Sequence, residues 1–505
     1  MKSSRVFSIV LFAALTAAAQ TGTNTVSPRA MSLQDCIQQA LQQNFDVQIQ
    51  RYNPQISLYN LRAAYDGWDP AFNISGQHNY NVTPSSYNLF LGIPTPPSVS
   101  DENSFNSGVN GTLPWGLQYN FTGTIAQEYG SDSGLPFDYS SGNIGVTLTQ
   151  PLLKNFWIDT TRLNIRVAKN RLKYSEQGLR LQLITSVTAV ANAYYELVFA
   201  RQNVAVQQEA LNLAQTQLDQ DNQRVQIGTL AILSVQQDES QVAQARANLI
   251  AAQSTLDTDE DALKNLFTDS YSKWQGVAIH PTAALEAPQQ TFDLQDSWNK
   301  GLTERPDLLQ AKLNVEQQGI QLKYYRNQLF PELDLTGSYG FNGSSTKVNG
   351  AGGQYSDILS ELNEGDAPFY SYGATLTMPL SNVGPRNQYK STKATLQQIL
   401  LQLKQLEQNV MVQIDTAVKQ AESNYESVQA TRQARSYAEA ALDAEQKTYA
   451  VGKATTFEVL QYQNNLTAAR SQEIRALANY EEALAALAQQ EGTTLEQYNI
   501  NLEAK

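Results

Sequence analysis

Between Leu183 and Val225 an apolar residue returns at every seventh position: Leu183, Val190, Leu197, Val204, Leu211, Leu218 and Val225. The positions between them are mostly Gln, Asn, Ala and charged residues, with no Gly or Pro. A repeat of seven writes a narrow apolar seam along a helix, the pattern that pairs helices lengthwise. After Gly228 the period restarts at Val235, Val242, Leu249, Leu256 and Leu263. The segment therefore predicts two long helices joined by a tight turn, an antiparallel coiled-coil hairpin. From Pro151 to Gly228 the pattern runs 77 residues without a stop, about 115 Å at the α-helical rise. Globular helices run about 8 to 20 residues. A helix this long crosses a space instead of filling a core.

At 505 residues the chain is long enough for several ordinary domains, yet its 41% apolar content is spread in stripes with no long apolar block. One elongated architecture fits that distribution better. Lys2 and Arg5, an apolar run from Val6 to Leu15, and Ala17-Ala18-Ala19 before Gln20 have the layout of a secretory signal peptide over residues 1–19. The run of about 14 residues is too short to span a bilayer, so the mature chain is expected to be exported. Losing Lys2 and Arg5 takes the formal charge from −13 to −15, that is −13 − 2. Such an acidic chain, with no basic run, argues against nucleic acid as a partner. Cys36 is the single cysteine and cannot form an internal disulfide. Leu33-Gln34-Asp35 before it is not the small-residue context of a lipidated cysteine, so it is expected to pack as a small apolar residue on the first helix. His78 and His280 are the only histidines, without paired metal-ligand spacing, a Gly-x-Ser-x-Gly or a phosphate-cradling Gly-rich loop. No enzyme, metal or cofactor is expected.

After a linker over 20–32, residues 33–66 read as an amphipathic helix with Leu33, Ile37, Leu41 and Ile49 on its apolar side and Ser32 and Asp35 at its start. A copy lies 261 positions further on. Leu33-Gln34-Asp35 matches Leu294-Gln295-Asp296, and Leu41, Asp46, Leu61, Pro70 and Gly76 match Leu302, Asp307, Leu322, Pro331 and Gly337. The chain is an internal duplication.

Beyond Pro70 the period changes to two: Phe72, Ile74, His78 and Tyr80 share one face, Asn73, Ser75, Gln77 and Asn79 the other. Beyond Pro331 the second copy does the same, with Leu333, Leu335, Tyr339 and Phe341 opposite Asp334, Thr336, Ser338 and Asn342. Similar alternation surrounds Leu117 to Ile125, Ile144 to Leu148 and Tyr372 to Met378, and more weakly Phe105 and Val109. Runs of about 9 to 11 residues with one greasy and one wet side suit a tilted membrane β-barrel. Residues 83–103 and 343–369 read as long polar loops. A soluble sandwich is the alternative for the strands alone. The wetness of the polar faces and the length of the loops favour the membrane. His78 reads as an interface residue.

Each copy returns to helix through a proline, Pro151 in Gln150-Pro151-Leu152 and Pro379 in Met378-Pro379-Leu380. Pro70, Pro151, Pro331 and Pro379 thus mark the strand–helix junctions. From Pro379 to Gly452 is 73 residues against 77 for the first hairpin, so the two turns should lie at one level. The second hairpin carries Leu396, Leu403 and Val410, then Ile414, Val428, Leu442 and Tyr449, with Val459, Leu466, Tyr480 and Leu487 after its turn. The expected units are 33–69 and 294–330 as first helices, 70–150 and 331–379 as strands and loops, and 151–267 and 380–490 as hairpins. A segment at 268–293 separates the repeats, and a tail follows at 491–505. Trp68 and Trp157 flank the junctions, either as a membrane-interface belt or as junction packing. Trp274 and Trp298 are expected in a belt around the middle.

A signal peptide, duplicated helix–strand–hairpin units, the Gln-Pro-Leu exit, and paired turns Val225-Gln226-Ile227-Gly228-Thr229 and Tyr449-Ala450-Val451-Gly452-Lys453 together resemble the TolC family of outer-membrane efflux channels. The resemblance covers residues 33 to about 490. It implies a homotrimer in which a transmembrane β-barrel, set in outer-membrane lipid, continues into a long antiparallel coiled-coil α-helical tunnel. It further implies a passive exit duct in a tripartite efflux or type I secretion system, with a periplasmic adaptor (membrane fusion) protein and an inner-membrane pump as partners. Mapped onto this chain, the adaptor-docking tips are Gly228, Thr229, Leu230, Gly452, Lys453 and Ala454, and the acid ringing the aperture is Glu458. The family's second aperture acid falls on Gln461, a tip arginine on Ala454 and its acidic partner on Ser234. The charged latch that the resemblance implies has no match at these positions, leaving hydrogen bonds or apolar tip contacts to hold this gate. The first repeat also offers four strand-like runs where the family pattern has two, and the extra pair either extends outside the cell or enlarges the barrel. A soluble periplasmic coiled-coil adaptor would share the hairpins but would have no need of strands greasy on one face.

Overall fold

The computed structural model describes residues 29–500 except 89, 91 and 349–352. The expected signal peptide at 1–19, most of the 20–32 linker and the end of the 491–505 tail lie outside the described residues. Residues Arg29–Met31, expected as linker, pair in parallel with Ile279–Pro281 of the inter-repeat segment.

The helix expected over 33–66 is two helices, α1 (Leu33–Gln43) and α2 (Phe45–Ala63). Ser32 and Asp35 cap α1 reciprocally. The break falls at Asn44, whose side-chain oxygen accepts from Val47 N at 3.1 Å while its amide donates to the Leu266 carbonyl at 2.8 Å. An Asn that serves a helix start and a neighbouring helix end competes with continuous helix. The first repeat continues through β1 (Ala71–Thr83), β2 (Ser98–Thr112), β3 (Gln118–Asp132) and β4 (Leu135–Pro151) to α3 (Thr160–Gln226) and α4 (Ile232–Phe267). The second comprises α5 (Leu294–Glu304), α6 (Pro306–Asn327), β5 (Glu332–Thr346), α7 (Tyr355–Glu364), β6 (Pro368–Thr377), α8 (Val383–Ala450) and α9 (Thr456–Glu491). Its α5/α6 break at Arg305 sits 261 residues after Asn44, so the duplication preserves even the interruption.

Helices α3 and α8 have 67 and 68 residues, about 100 Å each. The 77-residue run overstates α3 by ten because Pro151 still pairs with Asp334 and Leu152 N still donates to the Leu333 carbonyl at 2.7 Å. Asp159 then caps α3 through Arg162 N at 2.7 Å. Likewise α8 begins after Asn382, which takes a left-handed conformation at φ 46°.

The six long strands form one antiparallel sheet in the order β6-β5-β4-β3-β2-β1. They have 10 to 17 residues, and all but β6 exceed the expected 9 to 11. Much of the two expected loops is ordered structure: residues 98–103 extend β2, 343–346 extend β5, and 355–364 form α7. Tyr355, Ile358 and Leu362 recur at helical spacing, so Ile358 buries completely against the sheet and Tyr355 meets Phe105 edge-on at 5.9 Å. Glu361 accepts from Ser344 N at 2.7 Å, and Gly365 at φ 74° ends the helix. Cross-strand register puts Phe72, Val109, Phe121, Val146, Tyr339 and Tyr370 in one row across all six strands. Ser75, Asn106, Thr124, Asn143 and Asn342 form a row on the other face.

The seam of α3 divides in two. Leu183, Val190 and Leu197 are buried in the main core with Ile37, Val47, Leu263, Phe267 and Tyr480, whereas Val204, Leu211, Leu218 and Val225 are only half-buried. Trp274 is buried there, edge-on to Phe267 at 4.9 Å and beneath Arg29. Half-buried Trp298 donates to the Met411 carbonyl at 3.1 Å. Cys36 packs fully inside, and burial pushes its thiol up to about 12. At the centre, the Tyr194 hydroxyl donates to the Met31 carbonyl at 3.2 Å and accepts from Thr282 N and Ala283 N, both at 3.1 Å. Tyr194→Phe should orphan two backbone donors and cost about 1–3 kcal/mol. Hydrogen exchange at Thr282 and Ala283 should accelerate; unchanged exchange would contradict this role for the hydroxyl.

Candidate functional site at the hairpin tips

The two long helices end alike. Gly228 and Gly452 both adopt φ 74°, a conformation that favours glycine. Thr229 N donates to the Arg224 carbonyl at 2.9 Å and Lys453 N to the Thr448 carbonyl at 3.1 Å, closing a six-residue loop over each helix end. Gly228, Thr229, Gly452 and Lys453 are exposed, and Leu230 and Ala454 half-buried. Ile227, Ile232 and Leu233 on one tip and Val451 and Phe457 on the other are each 61–74% exposed, a large apolar surface for so small an element.

The tips lie side by side because Asp221 of α3 joins them. Its fully buried carboxylate accepts from the Tyr449 hydroxyl at 2.6 Å, the Thr456 hydroxyl at 3.0 Å and the Gln217 amide at 3.0 Å. Arg224 lies 3.9 Å away and covers the Tyr449 ring. Three donors and a nearby cation satisfy the Asp221 oxygens. Burial, then the hydrogen bond to Asp221, raises the Tyr449 phenol, which stays a neutral donor. Asp238 of α4 is also fully buried, and neither of its oxygens has a donor. Burial, then the charge of Asp221 beside it, pushes its carboxyl up from 3.8 to about 7. A protonated Asp238 can donate to the Asp221 carboxylate beside it. Further along the helices, Arg470 of α9 bridges to Glu209 at 2.7 Å and Arg475 to Glu196 at 2.8 Å, binding the second hairpin to the first, while Arg470 also reaches Glu439 of α8 at 3.1 Å.

Glu458 is exposed and folds back on Thr455, accepting from its N at 2.7 Å and its hydroxyl at 2.9 Å. Those bonds hold its carboxyl below the usual range and start α9 as a capping box. Gln461 is exposed on the same helix, and Ser234 is half-buried on the other hairpin, its N bonded to the Ala231 carbonyl at 3.1 Å. No hydrogen bond or ion pair joins Ser234 to Glu458 or Gln461 within the protomer. The heptad reading passed over Asp221 and Asp238, although each stands three residues after a seam residue, Leu218 and Val235, on the inward side. An acid at such a position is the signal that could have found them. The four prolines all sit at strand ends: Pro70 and Pro331 immediately before β1 and β5, Pro151 at the end of β4 and Pro379 just beyond β6. Asn327 ties the two repeats there, accepting from Asn155 N at 2.7 Å and donating to the Leu153 carbonyl at 3.2 Å.

Because the joined state holds the Asp238 proton that a separated, solvated carboxyl would release, the junction is tightest below about 3.8. Its stability falls as pH rises from 3.8 to about 7 and changes little above that. Asp238→Asn supplies a permanent donor and should remove most of this pH dependence. The measurement is the spin-label distance between the two tips from pH 4 to 8; identical profiles in the wild type and the variant would contradict this role for the Asp238 proton.

The sequence profile of the outer membrane efflux protein family matches residues 36–267 and 299–493. Outer membrane protein TolC of Escherichia coli is 26% identical over 301 residues, 59% of this chain and 59% of TolC. Outer membrane efflux protein BepC of Brucella suis is 25% identical over 333 residues, 66% of this chain and 68% of BepC. The aligned stretch thus spans less than two thirds of TolC's length. In fold, the CmeC outer membrane channel of Campylobacter jejuni superimposes with a TM-score of 0.65 at 14% identity, covering 94% of this chain and 90% of CmeC. VceC of Vibrio cholerae gives 0.64 at 18% identity over 91% and 96%. With the profile match covering most of its length, the chain belongs to the outer membrane efflux protein family.

Proposed function

We propose that the protein is the outer-membrane exit duct of a tripartite efflux or type I secretion system, a homotrimer whose sheets close one barrel and whose hairpins enclose a tunnel across the periplasm. The observation that carries this reading is the two-faced sheet. Its apolar row from Phe72 to Tyr370 lies open on one side, and polar residues line the other. Among the described residues, strands β1 and β6 keep unpaired backbone edges, which lipid penalises by several kcal/mol per orphan group. A soluble adaptor gains nothing from such a sheet. Phe45, Ile49, Tyr52, Ile56 and Tyr59 of α2, spaced four and three residues apart, are each 53–64% exposed. That is a second coiled-coil seam, and another copy of the chain is the occupant proposed for it.

In the duct, the tips at Gly228–Leu230 and Gly452–Ala454 would meet an adaptor through the apolar residues beside them, and an inner-membrane pump would supply energy and select cargo. The Asp221–Asp238–Tyr449–Thr456 junction supports a gate in which the hairpins of one copy separate by breaking a buried polar link. Three copies of Glu458 around the axis would attract cations, with Gln461 and Ser234 lining the same level.

Two measurements check this reading. Ile49→Glu combined with Ile56→Glu should turn the detergent-extracted trimer into monomers by native mass spectrometry; a persisting trimer would remove α2 from the interface. Glu458→Ala should lower cation selectivity and alter conductance of the reconstituted channel. Wild-type conductance and selectivity would take Glu458 out of the gate.

A further inference from the structure

The first repeat carries four long strands and the second carries two. We propose that β2 and β3 belong to the membrane wall itself, so that three copies of a six-stranded sheet close an eighteen-stranded barrel. This rests on the trimeric duct proposed above.

The placement of the pair carries the inference. Strand β1 bonds only to β2, and β4 bonds to β3 and β5, so β2 and β3 are the connection between the first strand and the remainder of the sheet. A hairpin projecting above the membrane would have left β1 against β4. The apolar row also runs through the pair without interruption, with Val109 and Phe121 between Phe72 and Val146. On the opposite face Asn106 and Thr122 keep the polar alternation of the neighbouring strands.

The pair also spans the full height of the sheet. Its inner turn, from Leu113 to Leu117, is closed by Leu113 N donating to the Leu117 carbonyl at 2.8 Å. It is fastened to the start of α3, where Arg162 donates to the Pro114 carbonyl at 2.8 Å and to the Phe156 carbonyl at 2.5 Å. Gly116 takes φ 92° there, and an added Cβ would lie 3.1 Å from the Arg162 guanidinium. The turn therefore sits at the strand–helix junction, the level at which β1 starts and β4 ends.

Barrel diameter grows roughly linearly with strand number, and eighteen strands about 4.8 Å apart at a tilt of about 40° close at about 35 Å between backbones. One third of that circumference would come from β2 and β3. Near mid-height the bore side of these strands carries amides, hydroxyls and glycines, so the mouth would admit bulky cargo without sorting it by charge.

Single cysteines test the placement, since the sole native thiol, Cys36, is buried and silent. In outer membranes, a charged, membrane-impermeant maleimide should label Asn106→Cys and Thr122→Cys at least about tenfold faster than Val109→Cys and Phe121→Cys, which lipid shields. Thr147→Cys and Val146→Cys on β4 serve as the reference pair, on the bore and lipid faces respectively. Equal labelling of both faces of β2 and β3, with the β4 contrast intact, would overturn the eighteen-stranded wall and leave the trimeric duct standing. Loss of the contrast on β4 as well would overturn both.

Discussion

An edge of a β-sheet cannot end in lipid. Among the described residues, the outer sides of β1 and β6 present backbone N–H and C=O groups with no strand beside them, and hydrocarbon offers them no partner. The rest of the architecture answers that constraint. In the proposed trimer, the two-faced sheet would put aromatic and branched residues outward, a second and third copy would supply the missing edges, and polar Asn, Ser and Thr would line a wet interior. The half-buried seam of α3 beyond Leu197 and the open stripe on α2 obey the same rule in the helical part. In the proposed trimer, each chain's open surfaces are completed by other copies.

The duplication matters because it puts equal helices under a common sheet. With 67 and 68 residues, α3 and α8 bring Gly228 and Gly452 to the same end of the molecule, where a buried carboxylate can hold both hairpins at once. Asp221 and Asp238 are costly residues in a coiled-coil seam. Two buried carboxyls side by side hold the junction less firmly than Leu at the same positions would, which suits the gate proposed there. Glu458, by contrast, spends its carboxylate on capping its own helix.

Much of this was legible in the residues. Heptads from Leu183 onward, the 261-residue offset and the alternation after Pro70 and Pro331 are dense, redundant signals, and the elements stand where those signals put them. Single residues that interrupt a pattern were harder to read. Asn44 splits a helix through a bond to Leu266, far away in sequence, and the residues after Pro151 look helical until Leu152 and Lys154 bond back to Leu333 and Pro331. Helix α7 was hidden in a polar segment because its apolar residues are few, Tyr355, Ile358 and Leu362 toward the sheet and Leu359 exposed. The tip junction was missed since Asp221 looks like any solvated acid until Tyr449 and Thr456 arrive from the other repeat. Weak alternation around Phe105 and Val109 reflects the many Gly, Ser and Asn residues of β2, whose place is fixed by its neighbours on both sides.

Hydrogen exchange along the sheet of the detergent-solubilised protein tests the central claim most directly. If edges close between copies, the amides of β1 and β6 should be protected as strongly as those of β3, deep within the sheet. Amides of β1 and β6 exchanging at the rate of an open strand, while β3 stays protected, would mean that the sheet has free edges and that no barrel forms.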